Sequence, residues 1–312
     1  SGIEHLIGSE NADTLLGDGN ANSLSGAGGN DTLNGLAGID TLLGGDGNDL
    51  YIVDNPGDVV SESNANPASG GIDTVYSWAS AHTLTPHVEN GRILATGAAN
   101  LTGNTLDNLL FAGTGHNVLS GGAGADTLVW LYGVSGGVGV NASLSSGTAS
   151  GGSGSDSFSG IEHLIGSENA DTLLGDSNAN SLSGAGGNDT LNGGLGNDLL
   201  IGGGGADVFR FDTLPDALSN RDQISDFNVV DDTIELASAV FGSLAATGAL
   251  AAASFRSGAG VGAAADADDY LIYDTTAGAL YYDAAGSAGA APLQIALLAP
   301  GLALTALDFW VT

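Results

Sequence analysis

A nine-residue repeat of the form G-G-x-G-x-D-x-U-x, in which U is a large apolar residue, runs through this chain of 312 residues. Its clearest copies begin at Gly44, Gly121, Gly193 and Gly202. The first six residues of a copy are glycine-rich and polar, which is typical of a turn, because glycine permits positive φ angles. The last three form a minimal strand whose middle side chain alone points inward. Two copies therefore predict one coil, in which turn and strand alternate.

The copies occur in blocks separated by less regular sequence, and the blocks predict how the chain is organised. Residues 1–52 form the first block, and residues 53–102 have the spaced apolar residues of irregular β-solenoid coils. Residues 103–165 hold a second block, further irregular coils and an isolated copy at Gly151–Ser159. Residues 166–210 form the last block, and residues 211–312 form a C-terminal cap.

The cap has its own local signals. Residues 237–253 are rich in Ala and Leu and predict a short helix, whereas residues 269–283 predict a hairpin with Gly278 near its turn. Together these patterns predict an all-β protein. Its expected architecture is a parallel β-roll, or β-helix solenoid, of nonapeptide repeats with a C-terminal β-rich cap.

The sixth position of the repeat predicts metal binding. Each turn offers one side-chain oxygen beside free backbone carbonyls, and stacked acidic turns would repel one another without a counterion. A hard cation with six to eight oxygen ligands fits this gap, which favours several Ca²⁺ ions over Mg²⁺. Zinc is disfavoured because the chain has no Cys and its five His are scattered. The predicted metal ligands are Asp13, Asn22, Asp31, Asp40, Asp49, Asn108, Asp126, Asp156, Asp171, Asn180, Asp189, Asp198 and Asp207.

Turns two copies apart share a side of the coil, so their sixth residues should lie together. On this geometry Asp13 pairs with Asp31, and Asp171 pairs with Asp189. Sites that contain Asn have one negative charge fewer and should bind more weakly. A disordered acidic linker is the alternative, but disorder needs no apolar residue at every ninth place.

The charge of the chain restricts its partners. It has 36 acidic residues against 4 basic ones, and its formal net charge is −32. Such a charge argues against nucleic acid or an anionic membrane as a partner. Self-repulsion also predicts an expanded metal-free chain, so that calcium binding would supply folding free energy. No apolar run reaches the length of a membrane span.

The repeat resembles that of the haemolysin-type RTX family of secreted proteins from Gram-negative bacteria. Residues 222–236 (DQISDFNVVDDTIEL) resemble the region that follows the repeats in this family, and the final DFWVT resembles the end of a type I secretion substrate. The resemblance implies export through an ABC-type exporter with an uncleaved C-terminal signal within residues 211–312. The chain would travel unfolded in low cytosolic calcium and fold outside the cell.

The resemblance also implies further ligands. Backbone carbonyls of the glycine-rich turns would complete each calcium shell, at Gly26, Gly28, Gly44, Gly47, Gly121, Gly124, Gly184, Gly186, Gly193, Gly196, Gly202 and Gly205. It suggests Asp222, Asp226, Asp231 and Asp232 as additional calcium ligands. Ordinary acids of a hairpin or a turn are an equally good interpretation of these four residues.

No catalytic function is predicted. Without Lys a phosphate-binding loop is impossible, and the single G-x-S-x-G match, Gly133–Gly137, lacks the strand–turn–helix context of a hydrolase. The expected function is the calcium-binding β-roll region of a secreted or cell-surface protein of the adhesin or surface-layer type. Its expected partners are calcium, the exporter, and a second copy of the chain or a cell-surface receptor.

An enzyme accessory module is the alternative function. The chain would then be the secretion and folding module of an extracellular protease, lipase or epimerase whose catalytic domain precedes Ser1. An internal duplication favours the structural function, because Ser1–Gly35 recurs at Ser159–Gly193 with one difference, Gly19 against Ser177.

Overall fold

The fold is described by a computed structural model, which covers residues 2–62, 64, 69–134, 136–216, 218–244, 247–289 and 291–312. Ser135 of the G-x-S-x-G match lies outside these residues. Across the described residues the secondary structure consists of strands and three short 3-10 helices, Ala252–Ser254, Gly286–Ala288 and Ala306–Asp308, with no α-helix. None of these helices has the length and apolar character needed to span a bilayer.

The strands are short, and most contain three or four residues. In chain order they are β1 (His5–Ile7), β2 (Thr14–Leu16), β3 (Ser23–Gly28), β4 (Thr32–Asn34), β5 (Thr41–Asp46), β6 (Leu50–Val53), β7 (Val59–Ser61), β8 (Thr74–Ser77), β9 (Ala81–Thr83), β10 (Asn90–Ile93), β11 (Ala99–Thr102), β12 (Leu109–Phe111), β13 (Asn117–Ser120), β14 (Thr127–Val129), β15 (Val140–Ser143) and β16 (Thr148–Gly151). They continue with β17 (Gly154–Ser159), β18 (His163–Ile165), β19 (Thr172–Leu174), β20 (Ser181–Ser183), β21 (Thr190–Asn192), β22 (Leu199–Ile201), β23 (Val208–Phe211), β24 (Asp222–Ile224), β25 (Thr233–Leu236), β26 (Gly248–Ala249), β27 (Phe255–Gly258), β28 (Leu271–Asp274), β29 (Ala279–Tyr282), β30 (Leu293–Leu297) and β31 (Phe309–Val311).

The chain forms two compact units, residues 1–138 with 147–163 and residues 139–146 with 164–312. In the first unit the strands stack in parallel in the orders β1-β3-β5-β7, β2-β4-β6-β8-β10-β12-β14 and β9-β11-β13-β17. Each strand therefore pairs with the second strand along the chain through most of the unit. The register joins Thr14 to Thr32 and Thr32 to Leu50, so two copies make one coil, as the repeat predicted.

The core of each unit is a column of inward side chains from the eighth position of the repeat. In the first unit Leu33, Tyr51 and Val75 are in register on successive coils, and each is fully buried. The flanking strand residues face outward and are only partly covered, as the alternation of side chains in a strand requires. Residues 53–102 add the strands β7 to β11 to these stacks.

The second unit repeats this arrangement and ends in mixed sheets. Its parallel stacks are β15-β19-β21-β23-β25-β31 and β18-β20-β22-β24-β30. The antiparallel strands β28 and β29 form the predicted hairpin, with Gly278 at a φ of 76° before β29. The helix predicted in residues 237–253 is wrong for the described residues, because β26 and a 3-10 helix occupy them and Gly248 has a φ of 112°.

The isolated copy at Gly151–Ser159 also departs from the prediction. It is half of an antiparallel hairpin, β16 with β17, whose register joins Gly151 to Gly154. Both glycines have positive φ, 125° and 101°, and they flank a two-residue connection of the kind that favours tight hairpins. The first and fourth glycines of the copy are therefore used to reverse the chain.

Candidate metal sites

Sixth-position side chains form ladders along each unit. In the first unit the backbone N–H of Asp13 donates to Oδ1 of Asp31 at 2.8 Å, and that of Asp31 donates to Oδ1 of Asp49 at 2.8 Å. In the second unit Asp171 donates in the same way to Asp189 at 2.8 Å, and Asp189 to Asp207 at 2.9 Å. The structure thus brings together the pairs expected from turns two copies apart. The same bond joins Asn22 to Asp40, Asn108 to Asp126 and Asn180 to Asp198.

One carboxylate oxygen remains without a partner on seven of these side chains. Their Oδ2 atoms are buried, and none has a hydrogen-bond partner among the described residues. Each whole residue is at most 2% exposed. A buried charged oxygen without compensation is strongly unfavourable, so the turns call for a cation or a proton. The seven residues are Asp31, Asp40, Asp49, Asp126, Asp189, Asp198 and Asp207.

Backbone carbonyls converge on the same oxygens. A Cβ atom added to Gly184 would lie 2.6 Å from the carbonyl oxygen of Gly202 and would overlap Oδ2 of Asp189. At Gly26 the neighbours are Oδ2 of Asp31 and, at 2.9 Å, the carbonyl oxygen of Gly44. Oxygens from two successive coils therefore meet beside a glycine whose missing side chain keeps the space open. An all-oxygen donor set of this kind fits Ca²⁺.

The backbone at the second position decides whether the oxygen is free. In all seven turns with a free Oδ2, which we call open turns, the second residue has a left-handed φ between 58° and 114°. These second residues are Ala27, Leu36, Gly45, Gly122, Ala185, Gly194 and Gly203. Ala and Leu adopt this conformation at a cost of about 1 kcal/mol or more, so the surrounding turn must impose it.

In the remaining turns, which we call closed turns, the side chain at the sixth position caps its own turn. The N–H of Asp18 donates to Oδ1 of Asn22 at 2.7 Å, and the N–H of Ser167 donates to Oδ2 of Asp171. The second residue is usually Ser, Asp or Asn, and its side chain accepts the N–H of the fourth residue. The sixth residues of closed turns are Asp13, Asn22, Asn108, Asn117, Asp171 and Asn180.

A family model described as the RTX calcium-binding nonapeptide repeat matches residues 1–33, 25–55, 102–129, 156–191, 165–200 and 183–212. The chain carries RTX calcium-binding nonapeptide repeats. The matches fall on the repeat blocks, which confirms the resemblance drawn from the sequence.

Among curated proteins no sequence matches this RTX chain. Among solved structures it is similar to the crystal structure of extracellular lipase LipA from Serratia marcescens, with 15% identity and a TM-score of 0.24. That match covers 78% of this chain and 45% of the lipase chain. The RTX chain therefore spans less than half the length of this relative.

The glycines that the resemblance singles out occupy three kinds of position in the RTX turns. First-position carbonyl oxygens lie beside the first glycine of the preceding coil, at Gly26, Gly44, Gly121, Gly184, Gly193 and Gly202. Fourth-position glycines all have φ between 117° and 141°, at Gly47, Gly124, Gly196 and Gly205. The third-position glycines Gly28 and Gly186 lie beside the carboxylates of Glu10 and Glu168 one coil earlier. The assignment of all these glycines as calcium ligands stays a prediction.

Acids outside the RTX copies extend the ladders, and four of them were not predicted from the sequence. Asp58 accepts the N–H of Asp40 at 3.0 Å, and Asp73 accepts that of Asp49 at 2.8 Å. Glu89 accepts the N–H of Asp73, and Glu162 accepts the N–H of Asp126, at 2.8 Å each. A weak signal was available, because each acid except Glu89 precedes by two residues an apolar side chain that is buried in a strand. None lies in a glycine-rich turn of the repeat form.

Three predicted ligands, Asp156, Asp222 and Asp226, belong neither to an open turn nor to a closed turn. Asp156 accepts the N–H of Asn117 at 2.9 Å and the indole N–H of Trp130 at 3.0 Å, so both its oxygens are engaged. This contradicts its expected role in a repeat turn, and the hairpin described above is the reason.

The two acids after the last block also form ladder contacts. Asp222 accepts the N–H of Asp198 at 3.1 Å and is buried. The exposed Asp226 accepts the N–H groups of Gly202 and Gly203 at 3.0 and 2.8 Å. Asp222 therefore lies on the ladder itself, whereas Asp226 binds the outside of the last repeat turn.

Burial makes the metal-free ladders weak acids. Desolvation raises the pKa of Asp189 to about 7, and those of Asp49 and Asp198 to about 6. The pKa of Asp222 rises to about 8, because its burial is reinforced by the charge of Asp198. Below these values the metal-free sites hold protons, and a bound cation would reverse the preference in favour of the carboxylate.

Proposed function

We propose that this chain is the non-catalytic calcium-binding β-roll region of a secreted or cell-surface RTX protein, and that it folds when it binds calcium. The observation that carries the proposal is the set of seven buried carboxylate oxygens that lack a partner among the described residues. At Asp31, Asp126 and Asp189 the free oxygen lies beside a glycine carbonyl, and at Asp49 it lies beside the carboxylate of Glu62, which is the kind of donor set that calcium prefers.

Calcium would bind mainly at the open turns. Their free oxygens lie on the first and last blocks and at Asp126, whereas the side chains of closed turns are already used to cap the turn. The Asn residues add no charge, so the closed turns should bind calcium weakly and serve mainly to space the coils. Several ions per chain follow from this division.

Export and location follow from coupling folding to calcium. A chain with a net charge of −32 and a thin apolar core loses its main counterions when calcium is scarce, and an extended chain suits a secretion channel. Outside the cell, higher calcium would drive folding. The internal duplication supports an adhesin or surface-layer role over that of an enzyme accessory module. A type I exporter, and a receptor or a second copy of the chain, are the partners that go with this role.

Counting bound calcium by equilibrium dialysis tests the proposal, with two variants of one ladder as a matched pair. Asp207→Asn removes a free oxygen from an open turn, whereas Asp171→Asn removes the same charge from a closed turn. We expect the wild type to bind several ions in excess magnesium, D207N to bind fewer, and D171N to match the wild type. Absence of calcium binding by the wild type, or equal losses in the two variants, would contradict the proposal.

A further inference from the structure

The first repeat block ends at a place where the register brings in two acids from outside the repeat. Leu43 of β5 pairs with Ser61 of β7, so the next residues along, Gly44 and Glu62, are neighbours. Leu50 of β6 pairs with Thr74 of β8, which aligns Asp49 with Asp73. Glu62 thus stands where other coils have the first glycine of a turn, and Asp73 stands at the sixth position.

These acids surround an oxygen that lacks a partner. One carboxylate oxygen from each of Asp49, Glu62 and Asp73 lies within 4.8 Å of the other two, and all three residues are buried. Oδ2 of Asp49 has no hydrogen-bond partner among the described residues, and Asp49 is only 2% exposed. A Cβ atom on Gly44 would overlap both this oxygen and Oε1 of Glu62, so the free oxygen faces the cluster.

The remaining contacts fix the cluster without filling it. Oδ1 of Asp73 accepts the N–H of Asp49 at 2.8 Å, which leaves its other oxygen to face a ligand. Glu62 accepts the hydroxyl of Tyr51 and the N–H of Gly45, which fix the position of its carboxylate. Tyr51 occupies the eighth position of its copy, where the other copies have Leu or Phe. Only this copy therefore offers a hydroxyl group at the eighth position.

We propose that Asp49, Glu62 and Asp73 form a separate three-carboxylate site for one calcium ion, distinct from the carbonyl-containing sites of the repeat turns. In the open turns of Asp31, Asp126 and Asp189 a glycine carbonyl lies beside the first glycine, whereas here a carboxylate takes that place. Three negative charges on one ion give a stronger site than one charge with carbonyls, because ligand charge tunes calcium affinity. The ion would fasten the irregular coil after residue 53 to the first block.

Terbium luminescence excited through tyrosine tests this site directly in the full chain. Tb³⁺ shares the oxygen preference of Ca²⁺ and emits when an excited aromatic ring is close, and Tyr51 touches the cluster. We expect the wild type to show a strong first phase that calcium reverses. Glu62→Gln should weaken this phase by roughly tenfold or more. Tyr51→Phe should lose most of the terbium emission of this phase, because the tyrosine ring that touches the cluster is removed.

The control is Glu4→Gln, which removes the same charge from an exposed residue in the same unit. Dialysis should find one calcium ion fewer in E62Q than in E4Q at limiting calcium. Equal calcium binding by E62Q and E4Q, or unchanged terbium emission from Y51F, would overturn the proposal. The inference rests on the proposed function. If the wild type binds no calcium, the proposed function itself is wrong. If D207N loses calcium and E62Q does not, the proposed function stands and only the three-carboxylate site is wrong.

Discussion

Replacing Asp189 by Asn should change stability in opposite directions with and without calcium. Asp189 is fully buried, and its Oδ2 has no partner among the described residues. Without calcium, burial raises its pKa from 3.8 to about 7. At about 1.4 kcal/mol per pKa unit, ionising it in the metal-free fold costs up to about 4 kcal/mol, and solvent screening reduces this to about 2–4 kcal/mol.

The Asn side chain removes this penalty and keeps the ladder. Its Oδ1 can still accept the N–H of Asp171, and its amide can donate to the carbonyl of Gly202. Asn108 makes a comparable bond, from Nδ2 to the carbonyl of Glu89 at 3.1 Å. With calcium the variant instead loses an ionic ligand. If one ion is lost at about 100 times its Kd, the free energy of unfolding falls by about 2.7 kcal/mol.

Two measurements at about pH 8, above the folded-state pKa, test both signs. Folding of the metal-free chain is driven by trimethylamine oxide in chelator, and unfolding of the calcium-loaded chain is driven by urea. We expect D189N to need less osmolyte and also less urea than the wild type. Asp268→Asn, an exposed acid of the cap, is the control and should change neither midpoint. Destabilisation of D189N by the same amount in both conditions would mean that Asp189 is a purely structural hydrogen-bond acceptor and not a calcium ligand.

Three further predictions follow from the turns, the core and the buried acids. Gly194→Ser puts a side chain at a φ of 92° and favours the closed turn, so calcium affinity at Asp198 should fall about 5–30-fold in isothermal titration. Unchanged affinity would mean that the conformation of the turn does not control calcium binding. Leu191→Ala empties a fully buried position of the second unit and should lower the free energy of unfolding in calcium by about 3–5 kcal/mol in urea, whereas a loss under about 1 kcal/mol would mean that the column is not the core. Burial raises the pKa of both Asp73 and Asp222 from 3.8 to about 8, so the metal-free fold binds more protons than the unfolded chain between about pH 4 and 8 and should lose stability as the pH rises through that window. Calcium uptake at about pH 6–7 should therefore release protons, which calorimetry in two buffers of different ionisation enthalpy detects, and buffer-independent heats would contradict this.

The repeat predicted the fold well because its period carries the register. A large apolar residue at every ninth position and glycine-rich turns between them leave one way to stack coils, and Leu33 beside Tyr51 follows from that spacing. The same pattern failed at Gly151–Ser159, where two glycines three residues apart also suit a tight hairpin. A single copy has no neighbouring copy in sequence to fix its register, so the preference of the two glycines for a tight hairpin determines its conformation.

The positions of the candidate sites could be predicted from the sequence, but which turns have a free carboxylate oxygen could not. Spacing located Asp31 and Asp171 equally well, yet only the first has a free oxygen. The difference lies at the second position, where Ala27 has a positive φ and Ser167 bonds within its turn. Glu62 and Asp73 were missed because an insertion lengthens their coil to 24 residues between Asp49 and Asp73, and only the strand register reveals that they meet.

We propose that this chain folds only as it binds calcium. Far-UV circular dichroism during a calcium titration from a chelated start measures this coupling, with magnesium as the control. We expect a disordered spectrum in chelator, a cooperative rise of β-signal with calcium, and no such rise with magnesium. A full β-spectrum in chelator at about pH 8, unchanged by calcium, would contradict this coupling, because the apolar columns alone would then hold the fold despite the buried charges.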